Sequence, residues 1–67
     1  MNYQNLTQKD ITSLCEEKEV TALAIKRFKK SAWIACFNGE KMIGISRKMT
    51  EDSADRFYDK MKEAYGV

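Results

Sequence analysis

Apolar residues recur at helical spacing near the start of the chain, alternate through its middle, and return to helical spacing at its end. Ile11, Leu14 and Cys15 make a narrow stripe on a predicted helix over about 8–17. Thr7 is its N-cap, and Asp10 three residues on completes a variant of the capping box. Leu6 and Ile11 have the spacing of a hydrophobic staple. Glu16, Glu17 and Glu19 crowd the far end, where the helix dipole disfavours anions, so the helix should stop near Lys18.

From Val20 to Phe28 the pattern has period two, which predicts a strand. Asn38-Gly39 between two apolar runs predicts a hairpin with a type I′ turn. That turn would set Phe37 opposite Glu40, Ala35 opposite Met42 and Trp33 opposite Gly44, with Cys36, Ile34 and Ala32 opposite Lys41, Ile43 and Ile45. A two-residue turn at Lys29-Lys30 would set Ile25 opposite Ile34. A second helix is predicted over 51–65, capped by Thr50 and ended by Gly66, with Ala54, Phe57, Tyr58, Met61 and Tyr65 as its stripe. The expected fold class is α+β: a three-stranded antiparallel sheet flanked by an N-terminal and a C-terminal helix, in one domain spanning residues 1–67.

Both faces of this sheet are apolar. One carries Ala22, Ala24, Phe28, Trp33, Ala35, Phe37, Met42 and Gly44, a floor of small residues between aromatic walls. It is the expected seat of the second helix, and Trp33 and Phe37 are expected to be core beneath it, the alternative being platforms on which bases stack, as on open sheets that bind single strands. The other carries Leu23, Ile25, Ala32, Ile34, Cys36, Ile43 and Ile45, with Arg27 alternating onto the same side as Leu23 and Ile25. Either the first helix covers that aliphatic face, or it lies open as a protein interface.

Composition narrows the class of role. The 67 residues are 43% hydrophobic and 33% charged, with no proline, which is a globular composition. No apolar run approaches a membrane span, and the N-terminus lacks the pattern of a secretory signal, so a cytoplasmic protein without a membrane partner is expected. Cys15 and Cys36 fit two reduced, buried cysteines better than a disulfide framework, although one bridge between them is open. There is no histidine, the commonest acid–base group and zinc ligand, and no serine has an evident activating partner. No catalytic residue, metal ligand or cofactor site is expected.

The net charge of +2 hides a segregation. Residues 20–48 hold seven cations and one acid, while the rest of the chain holds five cations and nine acids. In the predicted sheet Lys26, Arg27, Lys29, Lys30, Arg47 and Lys48 converge on one end, as phosphate neutralisation requires.

The segments SAWIA at 31–35, NGEKMIG at 38–44 and TEDSADRFYDKM at 50–61 resemble the three-strand-plus-helix DNA-binding domain of APETALA/ethylene-response factors and of phage integrase arm-binding domains. In that family the sheet face opposite the helix enters the major groove. The element order is also similar to that of the double-stranded-RNA-binding domain, with Glu51, Asp52 and Asp55 where that family carries a lysine cluster. The cation cluster points to a small non-enzymatic nucleic-acid-associated accessory protein that contacts phosphates, and the resemblance to the integrase domains implies a phage or mobile-element type. The alternative is a phage-encoded inhibitor that docks on a host or defence protein through the aliphatic face and basic edge. A homodimer through the same face is a third version.

Overall fold

A computed structural model describes residues 3–67. The chain is α+β, in the order β1 (Tyr3–Leu6), α1 (Gln8–Glu16), β2 (Ala22–Phe28), β3 (Ser31–Asn38), β4 (Lys41–Ser46), β5 (Met49–Thr50) and α2 (Glu51–Tyr65). The strands form one mixed sheet in the order β1-β4-β3-β2. The predicted antiparallel trio, β2, β3 and β4, is its centre. Two strands are additional. β1 runs parallel to β4 at one edge, and the two-residue β5 pairs with β3 beyond the end of β4.

Local signals set both helices. Thr7 Oγ1 accepts from the Asp10 backbone N–H, and Asp10 Oδ2 accepts from the Thr7 backbone N–H, each at 3.1 Å. At the other end of α1 the Lys18 N–H bonds the Cys15 carbonyl and the Glu19 N–H bonds the Leu14 carbonyl, which is a Schellman closure. Lys18 accordingly takes the left-handed position at φ 61°. Thr50 caps α2 through the Ser53 N–H, and Gly66 ends it at φ 71°.

The β2–β3 register matches the expectation, with Ile25 opposite Ile34 and Phe28 opposite Ser31. The β3–β4 register does not. Asn38 pairs with Lys41, so Gly39 and Glu40 are the central turn residues, and the positive φ falls at Gly39 alone. Phe37 then faces Met42, but Cys36 faces Gly44. The extra residue, Ile43, is a bulge, and a one-residue slip reverses the faces of everything beyond it. Gly44 thereby joins the aliphatic face, and Ile45 leaves it to lie opposite Ala35.

Both helices lie on the aliphatic face. Leu23, Ala32, Ile34 and Cys36 from the sheet pack with Ile11 and Cys15 of α1 and Ala54, Phe57 and Met61 of α2. Leu6 and Val20, flanking α1, complete a stripe that is too narrow within the helix itself. Ser46 is the one buried polar side chain among the described residues. Its Oγ accepts from the Ile34 N–H at 2.8 Å and donates to the Arg47 carbonyl at 2.9 Å, where the chain leaves β4. No helix among the described residues is long and apolar enough to cross a membrane.

Candidate functional site

With both helices on one side, the opposite face of the sheet is covered by no other element among the described residues. It carries Ala22, Ala24, Lys26 and Phe28 from β2, Trp33, Ala35 and Phe37 from β3, and Met42 and Ile45 from β4. This corrects the expected placement of the second helix. The aromatic face is open, and the aliphatic face is the core. Of the candidate interface residues, Leu23, Ile34 and Cys36 are buried beneath the helices, and Ile25 and Ile43 pack against that core half-buried. Only Ile45 lies on the open side, and the bulge put it there.

One end of the open face gathers rings and cations. Phe28 is 57% exposed, and its ring lies 6.4 Å from that of Trp33, tilted by 43°. The Lys29 ammonium sits 5.5 Å from the Phe28 centroid, and that of Lys48 sits 6.0 Å from the Trp33 centroid. Both distances are within cation–π reach. Lys26 is the direct cross-strand neighbour of Trp33. Lys30 completes the β2–β3 turn, and Arg47 precedes Lys48 in the β4–β5 junction that returns to the same end. Lys29 holds this place with φ 57°, a backbone region that glycine occupies at lower cost.

Arg27 departs from the expected set. It points to the helix side, where Nη2 meets Asp55 Oδ1 at 2.6 Å and Nη1 meets Glu51 Oε1 at 3.9 Å. The hydrogen bond and charge of Asp55 hold its guanidinium still further above its ordinary pKa. It ties β2 to α2 and is not free for phosphate. The other five cations of the predicted cluster enter no ion pair among the described residues.

The acids lie elsewhere. Nine of the ten are on α1, on α2 or in the loop after α1, and the tenth, Glu40, is in the turn at the far end of the sheet. On the open face itself the ringed end carries cations and no acid; Glu51 and Asp55, at the start of α2 near the same end, hold Arg27 on the helix side.

Cys15 and Cys36 are free and buried. Burial, and secondarily the charge of Cys15, push the Cys36 thiol from 9.0 to about 11, so both are thiols rather than nucleophilic thiolates at neutral pH. The folded Cys36 keeps its proton to higher pH than the unfolded chain does. Its contribution to stability is therefore whole below pH 9.0 and is lost between there and about 11. Urea midpoints measured across that window should fall, and Cys36→Ala should flatten part of the fall.

No protein-family model, curated protein or solved structure matches this chain.

Proposed function

We propose that this chain is a non-enzymatic nucleic-acid-binding accessory protein. It grips phosphates through Lys26, Lys29, Lys30, Arg47 and Lys48 at one end of the open sheet face. The observation that carries this reading is the seating of two unpaired ammonium groups over two neighbouring rings on an uncovered face, with nine of the ten acids on the helices or in the loop after α1. The family resemblance also uses the sheet face opposite the helix.

Binding of this kind weakens steeply with salt, because each neutralised phosphate releases counterions. With up to five such contacts, a fourfold rise in salt should lower affinity by about a hundredfold. Titration of a short labelled oligonucleotide at two salt concentrations checks this. Lys48→Gln should reduce the salt slope by about one contact, whereas Arg27→Gln should leave it unchanged. Undetectable or salt-independent binding at low salt sinks the proposal.

A further inference from the structure

We infer that the ligand of this site is a single strand, held by bases stacked on Phe28 and Trp33, and read with little regard to sequence. The inference rests on the phosphate-binding reading above and goes on to say which form of nucleic acid fits.

A sheet face that reads a duplex does so through hydrogen bonds to base edges in the groove. Such a face needs arginine, asparagine, glutamine or similar side chains standing up from the strands. The open face here presents Ala22, Ala24, Ala35, Met42 and Ile45 around its three rings, and its hydrogen-bonding side chains on β2, β3 and β4 are Lys26, Ser31 and the indole N–H of Trp33. It can offer base edges little. What it offers is ring surface, and a ring takes the flat face of a base. In a duplex those faces are stacked on one another and closed; in a single strand they are free.

The geometry fits adjacent stacking positions. Phe28 and Trp33 are diagonal cross-strand neighbours with centroids 6.4 Å apart and planes that are not parallel. Two successive bases can each take one ring only if they are splayed, which an unpaired strand permits. Lys29 and Lys48, whose ammonium groups sit over these rings, are long and flexible enough to swing off them when a base stacks and to meet its phosphates. Phe37 lies four residues along β3 from Trp33, across the buried Ala35, and gives a third ring farther down the trough.

A second copy of this chain suits the face less well. Self-association by sheet-to-sheet packing would desolvate Lys26, Lys29 and Lys48, and the only acid the sheet can return is Glu40. An anionic partner with flat apolar groups meets both the rings and the cations.

Trp33 is the only tryptophan, so its fluorescence reports the site directly. The experiment titrates the full chain with a short oligothymidylate and with a blunt duplex of equal length, at low and moderate salt. It follows Trp33 emission and the anisotropy of a label on the nucleic acid. The expected result is a single strand bound at least tenfold more tightly than duplex, with Trp33 quenched. Phe28→Ala should weaken the single strand by about five- to a hundredfold, the range of base–ring stacking, and change duplex binding little. Because Phe28 is exposed, that variant should stay folded. Equal, salt-sensitive binding of both forms without Trp33 quenching overturns the stacking inference and leaves the phosphate reading standing. No binding of either form at low salt overturns both. A salt-resistant dimer with Trp33 shielded, seen by sedimentation, also overturns the inference, because the face would then belong to a second copy.

Discussion

Truncating Ile34 to alanine is expected to unfold a large fraction of the protein at room temperature. Ile34 is fully buried, on the central strand, between the two helices and the sheet. Removing a buried isoleucine side chain down to alanine costs about 2–5 kcal/mol, from lost transfer energy and the cavity left behind. A single core in a chain of this length rarely supplies more than about 3–5 kcal/mol in total. The two ranges overlap, so the variant should be marginal or unfolded by circular dichroism and urea titration. The control is Phe28→Ala. It removes a larger side chain, yet from the open face, and should cost about 1 kcal/mol, as an exposed strand position does. If Phe28→Ala proves the more damaging of the two, the helices cannot be on the side described.

Gly44→Val is the second large effect. A Cβ on Gly44 would stand 2.9 Å from Leu6 Cδ1, 3.1 Å from Tyr3 Cβ and 3.3 Å from the Tyr3 carbonyl oxygen. The leucine methyl can swing away. The tyrosine backbone cannot, because it is the strand partner itself, with Tyr3 opposite Gly44. Alanine should therefore strain the β1–β4 contact, and valine should push β1 off the edge. Overpacking of this kind costs about 1–3 kcal/mol. The specific signature is early exchange of the β1 amides with solvent deuterium, ahead of those in β3. Loss of protection spread evenly over the sheet would show instead that β1 is not a separate unit.

The parts of this fold that depend on neighbours in sequence were legible in the chain. Thr7 with Asp10, Thr50 and Gly66 act within one helical turn, and each sits at the boundary where it was expected. The turn at Lys29-Lys30 and the register it imposes were legible for the same reason. The errors arise where distant residues decide. β1 has the polar residues Gln4 and Asn5 at its centre and no alternation to reveal it; its strand character comes from β4, some forty residues away. The Ile43 bulge reversed Gly44 and Ile45 because nothing local distinguishes a bulged Met-Ile-Gly from a regular one.

The choice of face was the costliest ambiguity. A hairpin apolar on both sides carries no mark of which side is covered. Large aromatics usually belong inside, which assigned Trp33 and Phe37 to the core. The aliphatic side won because Leu6 and Val20 widen the stripe of α1, letting two helices share one face. The segregation of charge was visible along the chain, but the ion pairs that engage Arg27 on the helix side were not. Strand alternation had already set Arg27 on the side of Leu23 and Ile25, and with the helices on that side it meets Asp55. The meeting of rings with lysines was hidden until the open face was known.

The parallel edge strand also orders events in time. Tyr3–Leu6 is made before the other elements of this fold, yet its partner Lys41–Ser46 is made only after the helix and two strands that separate them. During synthesis the first strand has nothing to pair with, and Leu6 and Ile11 wait in water for a sheet that does not exist. The hairpins, whose partners are close in sequence, can close sooner. The return of β1 and the docking of the helix behind it should therefore follow the closing of the hairpins.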